Sequence, residues 1–76
     1  MNQSSLSEWK QNFGKNLRCI RRARRHTQKQ LAELLNVDVT TISKMENSVM
    51  YPGVRTLVEI SMIYCISIDE LLSTSK

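Results

Sequence analysis

The stretch LNVDVTTISKMENS, residues 35–48, constrains the fold more than any other, because its composition and its spacing ask for different structures. Val37, Val39, Thr40, Thr41 and Ile42 are β-branched, and such residues usually favour a strand. A strand would alternate, placing Thr40, Ile42 and Lys44 on one face together. A helix instead puts Ile42 and Met45, three apart, on a buried side and Val39, Thr40, Ser43, Lys44 and Asn47 on the other. The helical pattern separates apolar from polar and the strand pattern does not, so residues from Val39 to about Asn47 are expected to be helical. The propensity cost of about half a kcal/mol per β-branched residue is small beside that. Asp38 is expected to cap the helix, its carboxylate accepting from a backbone N–H two or three residues later.

The same logic places the other elements. Residues 1–6 are polar and are expected to form a flexible end, with the folded domain over 7–72 and a tail over 73–76. From about Ser7 to Arg24, Phe13, Leu17 and Ile20 make one helical stripe. Thr27 with Gln30 is a capping box that opens a second helix carrying Leu31, Ala32, Leu34 and Leu35, and Asn36 suits the turn that ends it. Pro52 and Gly53 break the chain after Ser48. Val54 to about Tyr64, with Val54, Leu57, Val58, Ile60 and Ile63, is expected to be the centre of the core. Ser67 with Glu70 is a second capping box and starts a last helix through Leu71 and Leu72. The expected fold class is all-α, one domain of five helices.

Composition excludes several functions. In 76 residues two cysteines, Cys19 and Cys65, are too few for a disulfide framework, and with one histidine, His26, no four-ligand zinc set can be built. The cysteines read as small apolar residues in a reducing compartment, and His26 as a half-buried packing residue. No basic-then-apolar leader is present, and no apolar run approaches the roughly 18 residues of a membrane span, so a cytoplasmic protein without membrane partners is expected. No grouping of nucleophile, base and oxyanion donor occurs, nor a glycine-rich phosphate loop. The chain therefore reads as neither an enzyme nor a cofactor carrier, with no separate ligand-sensing domain and no evident small-molecule ligand.

Charge is lopsided. Lys10, Lys15, Arg18, Arg21, Arg22, Arg24 and Arg25 face one acid, Glu8, in the first 25 residues. The remainder holds Lys29, Lys44, Arg55 and Lys76 against Glu33, Asp38, Glu46, Glu59, Asp69 and Glu70. Such asymmetry points to a polyanion near the first helix, although a solvated helix face carries the same run.

Two short helices joined by a tight turn, the second exposing small polar groups and a lysine, have the layout of a DNA-binding helix-turn-helix. In their register the residues resemble the lambda-repressor-like, Cro or XRE-type helix-turn-helix domains. Phe13, Leu17, Ile20 and Arg21 carry the likeness, followed by Thr27-Gln28, Leu31-Ala32, Val37, Ile42, Lys44 and Glu46-Asn47. Pro52, Leu57, Ile60 and Ser67 to Leu72 extend it, so that it spans about residues 10 to 72 without a gap. The chain departs from the family at Asn36, Ser48 and Cys65, where glycine is frequent and the backbone takes positive φ. Asn36 is a mild substitute in a left-handed turn, Ser48 and Cys65 would be strained there, and Cys65 is expected to end the fourth helix in that conformation.

The resemblance implies a duplex-DNA-binding transcriptional regulator, expected to be a repressor, with an antitoxin or a bridging adaptor as the alternative. Base readout is expected from Val39, Thr40, Ser43 and Lys44. Lysine donates to guanine O6 and N7, hydroxyls pair with several bases, and valine methyls suit a thymine methyl. Gln28 resembles the family's phosphate-binding glutamine; Thr27, Thr41, Asn47, Ser48, Tyr51 and Arg18 complete the expected backbone contacts. The likeness further implies an ion pair between Arg21 and Glu46. It also implies a homodimer, for which Ile66, Ile68, Leu71 and Leu72 are the expected surface.

Overall fold

The computed structural model describes the backbone of residues 3–73 and the side chains of 8–73. Five helices follow in order: α1 (Gln3–Ala23), α2 (Gln28–Leu35), α3 (Val39–Glu46), α4 (Val54–Tyr64) and α5 (Ile68–Leu72). No strand occurs among the described residues. α2 packs on α3, α1 crosses both α3 and α5, and α4 packs on α2 and α5.

Helix α1 starts earlier than its sequence suggests. Gln3 to Leu6, expected to be irregular, continue the helix upstream of Ser7, for no glycine or proline interrupts them. The outermost parts of the expected end and tail, 1–2 and 74–76, lie outside the described residues. The two capping boxes form as the sequence implies: Thr27 Oγ1 accepts from Gln30 N at 3.0 Å and Ser67 Oγ from Glu70 N at 3.0 Å. Asp38 does stand at the N-cap of α3, with φ −73° and ψ 149°, but its side chain makes no capping bond. Asp38 is exposed, so its carboxylate can be solvated without the expected backbone donor.

The core is Phe13, Leu17, Leu31, Ala32, Leu35, Ile42, Met45, Ile60, Tyr64 and Leu71. Burial departs from expectation at several places. α4 is not its centre: only Ile60 and Tyr64 are buried, while Val54 is 78% exposed and Val58 40%. Lying at one end of the stack, α4 has neighbours on one side only. Leu71, placed on a dimer surface by its apolar character, is fully buried in the core and unavailable to a partner; Ile66, Ile68 and Leu72 are half-buried. Leu34 is exposed although its helix neighbours Leu31 and Leu35 are buried. Cys19 and Cys65, read as small apolar residues, are both exposed and free.

Polar contacts fix how the helices meet. Gly14 on α1 lies so close to the end of α3 that a Cβ there would stand 2.8 Å from the carbonyl oxygens of Met45 and Glu46 and 2.9 Å from Ser48 Oγ. Asn16, buried, donates its side-chain amide to the Leu71 and Ser73 carbonyls at 2.9 and 2.8 Å, closing the end of α5. Arg24 donates to the Tyr64 carbonyl at 2.7 Å, and His26 Nδ1 lies 3.0 Å from the Tyr64 hydroxyl, so α4 is tied back to α1. Asn36, Ser48 and Cys65 all take positive φ, 58°, 61° and 54°, and Arg25 joins them at 60°.

Candidate nucleic-acid interface

The turn between α2 and α3 consists of Asn36, Val37 and Asp38. Asn36 sits at φ 58° and ψ 47° and donates its backbone N–H to the end of α2, so α2 terminates and the chain can turn at once. α3 then runs with Ile42 and Met45 fully inside. That burial fixes its rotation, and everything on the opposite side follows. Val39, Thr40 and Lys44 are exposed and Ser43 is half-exposed. Thr41 lies at the edge of this face, half-buried.

Behind α3, Glu46 collects donors. Arg21 Nε lies 2.6 Å from Glu46 Oε2 and Arg21 Nη2 donates to Oε1 at 3.0 Å, a bidentate pair. Arg21 Nη1 continues to the His26 carbonyl at 2.8 Å. Gln28 Nε2 donates to the same Oε1 at 3.0 Å, and Arg18 Nε lies 3.6 Å away. Burial alone would raise the Glu46 carboxyl's pKa. The hydrogen bonds from Arg21 and Gln28, with the charges of Arg21 and Arg18, outweigh burial and hold the pKa below the usual carboxylate value. Arg21 is correspondingly pushed up, chiefly by its hydrogen bond to Glu46. The carboxylate is therefore ionised at neutral pH.

The network joins several of the expected contact residues to one another. Arg18 Nη2 donates to Asn47 Oδ1 at 3.0 Å, and Asn47 Nδ2 donates to the Ser43 carbonyl at 2.9 Å. Tyr51 donates its phenol proton to the Ser48 carbonyl at 2.9 Å. Asn47 and Tyr51 thus spend their best donors internally and splint the loop that follows α3. Gln28 keeps one amide N–H, Arg18 keeps part of its guanidinium in solvent, and the Thr27 hydroxyl proton is uncommitted. Val39, Thr40, Thr41 and Lys44 enter no side-chain bond with another described residue.

Two features escape a reading of the chain. The Gln28–Glu46 and Arg18–Asn47 bonds join residues 18 and 29 apart, beyond any local pattern. Gly14 carried a usable signal, since a glycine inside a helical stripe costs about 1 kcal/mol and marks a close approach.

Among the described residues no helix is long and apolar enough to cross a membrane. Residues 17–71 match the helix-turn-helix family. The chain is 44% identical over 61 residues, 80% of its length, to the HTH-type transcriptional activator BcrR of Enterococcus faecalis, of which this is 30%. It is 36% identical over 64 residues, 84% of its length, to the HTH-type transcriptional regulator ImmR of Bacillus subtilis (strain 168), of which this is 50%. The chain thus spans half or less of these curated relatives. No solved structure gives a significant match. A family match covering most of the chain, two similar relatives and a two-helix unit with the geometry above agree: the chain belongs to the helix-turn-helix family.

Proposed function

We propose that the chain binds duplex DNA as a transcriptional regulator, laying α3 in the major groove. One observation carries the reading. Val39, Thr40 and Lys44, exposed and with uncommitted side chains, form a strip with half-exposed Ser43, whose hydroxyl oxygen accepts from Asn47 Nδ2 at 3.4 Å, on a helix whose other side is locked by Ile42 and Met45. A rigid helix presenting free donors and methyls suits base-edge recognition. Lys44 addresses guanine, Thr40 and Ser43 several bases, and Val39 a thymine methyl.

Phosphate contacts flank that strip. Gln28 uses its remaining N–H, supported by the free backbone N–H groups at the start of α2 and by the Thr27 hydroxyl. Arg18, braced by Asn47, meets the backbone on the far side with Ser48 and Thr41, and Tyr51 and Asn47 hold that loop in place. The sign of regulation depends on where the operator lies. Repression by occupancy needs only the binding described here; one relative is named an activator.

One recognition helix reads only a few base pairs, so a homodimer on half-sites about one helical turn apart is part of the proposal. Ile66, Ile68 and Leu72, half-buried, remain its surface. A second reading, a module whose main partner is another protein, is favoured by the exposed apolar stripe of Val54, Val58 and Met62 on α4. It requires weak DNA binding alone and a tight complex with another chain.

The test is selection of bound duplexes from a random pool, followed by binding of Lys44→Ala and Gln28→Ala to single-base variants of the selected site, with oligomeric state measured in parallel. Lys44→Ala should cost about 1 to 3 kcal/mol on the preferred site and relax discrimination at one base pair. Gln28→Ala should weaken all sequences alike. An unchanged base preference in Lys44→Ala would remove this face of α3 from the groove, and a monomer on a palindromic site would end the dimer.

A further inference from the structure

We infer that Lys10, on the first helix and outside the helix-turn-helix unit, is a DNA phosphate contact that extends the interface along α1; this rests on the duplex-DNA reading above. Lys10, Gly14, Arg18 and Arg21 recur at helical spacing and share one face of α1. Three of the four show where that face points. Gly14 abuts the carbonyls of Met45 and Glu46, Arg18 reaches Asn47, and Arg21 reaches Glu46. α1 therefore runs along the end of the recognition helix and the loop after it. One turn before Gly14, Lys10 meets that loop at Tyr51.

The meeting is specific. Lys10 Nζ stands 4.9 Å from the centroid of the Tyr51 ring and 6.0 Å from that of Trp9, whose ring lies 6.2 Å from Tyr51's at 59°. Tyr51 itself is anchored through its hydroxyl to the Ser48 carbonyl. The aromatic faces attract the ammonium by their quadrupoles and restrict its motion, but they carry no net charge. Among the described residues no carboxylate pairs with Lys10, whereas Arg21 is bound to Glu46 and Arg18 lies 3.6 Å from the same carboxylate. Of the cations on this face, Lys10 is the one whose whole charge remains to be neutralised by a ligand.

Position chooses the ligand. The loop that holds Lys10 follows directly from α3, so it lies beside the strip of Val39, Thr40, Ser43 and Lys44 on which a duplex would sit. Lys10 and Arg18 are eight residues apart, about 12 Å along the helix, far enough to reach different phosphates. Two arrested cations on one rigid helix then fix the angle at which α1 crosses the backbone, and through Gly14 the depth at which α3 sits.

The experiment measures binding of the full chain to its selected duplex and to an unrelated duplex across a range of salt concentrations. Wild type, Lys10→Gln, Lys10→Met and Lys10→Arg are compared, with thermal melting of each. Methionine keeps an aliphatic stem over the rings, so at least one neutral variant retains the packing. The neutral variants should weaken both duplexes alike and lower the slope of log affinity against log salt by about 0.9, equivalent to an affinity loss about threefold smaller between about 50 and 200 mM salt. Lys10→Arg should restore the slope. A wild-type slope in a folded neutral variant overturns the inference and leaves Lys10 as packing on Tyr51. If the wild-type chain binds no duplex at all, the DNA reading fails and this inference falls with it.

Discussion

The seam between α1 and α3 and the outer face of α4 invert what hydropathy alone would assign. α1 carries a cluster of arginines, and the seam it forms with α3 is made from Gly14, Arg18, Arg21, Glu46, Asn47 and Ser48. That seam is polar, yet Arg21 and Glu46 are 7% and 4% exposed. α4 is strongly apolar, yet Val54 and Met62 are 78% and 71% exposed. The seam can be buried because its buried donors have acceptors; among the described residues no buried side-chain nitrogen or oxygen lacks a partner. α4 stays exposed because five helices in 76 residues offer it cover on one side only. Burial follows from partners and position, and apolar character only permits it.

Removing one member of the seam should have the largest effect on stability. Glu46→Leu leaves Arg21 buried without its counter-charge and should cost about 3 kcal/mol in denaturant unfolding, as should Arg21→Met. The double mutant should recover much of that loss; additive single effects would mean that the two charges are independent. Acid provides a second readout. Because the folded carboxyl's pKa lies below the usual value near 4.5, its contribution is complete above that value and is lost as pH falls through the folded one. Glu46→Leu should therefore flatten the acid side of the stability profile.

A smaller effect sits where α4 ends. Cys65 is held at φ 54° and ψ 45° with an exposed side chain, so glycine would relieve strain at Cβ while sacrificing little packing. Cys65→Gly should stabilise the fold by about 0.5 to 1 kcal/mol, and Asn36→Gly, at the matching end of α2, by less, since asparagine tolerates this region. A destabilised Cys65→Gly protein would show that the thiol packs against something in solution.

The smallest effect is expected on the outer face of α4 itself. Met62→Gln should change monomer stability by no more than about 0.5 kcal/mol, because the side chain is already in water. A larger loss that grows with protein concentration would reveal that a second copy covers this face, and the contrast with the seam would then hold only for the isolated chain.

Much of the fold was legible because its local signals are strong. Thr27 with Gln30 and Ser67 with Glu70 announce two helix starts, and the Ile42–Met45 spacing rotates α3 correctly although five β-branched residues stand in and before it. The start of α1 was not legible, since serine and glutamine neither nucleate nor break a helix decisively. Nor was the fate of Leu71, because a leucine that fills a core and one that meets a partner look alike in one dimension. At the interface, periodicity reveals which side chains of α3 face outward. It is silent about which of their neighbours have already spent their hydrogen bonds, as Asn47 and Tyr51 have, because that depends on tertiary approach.

Gly14 makes α3 a lever with a stop. At eight residues α3 is a rod about 12 Å long, so displacing its Gly14 end by about 1 Å would tilt the whole rod by about 5°. If α3 reads bases as proposed, its outward side chains would then be aimed at neighbouring edges instead. On the proposed reading, a hydrogen atom in place of a methyl group on α1 thereby sets the pitch at which α3 would meet a duplex.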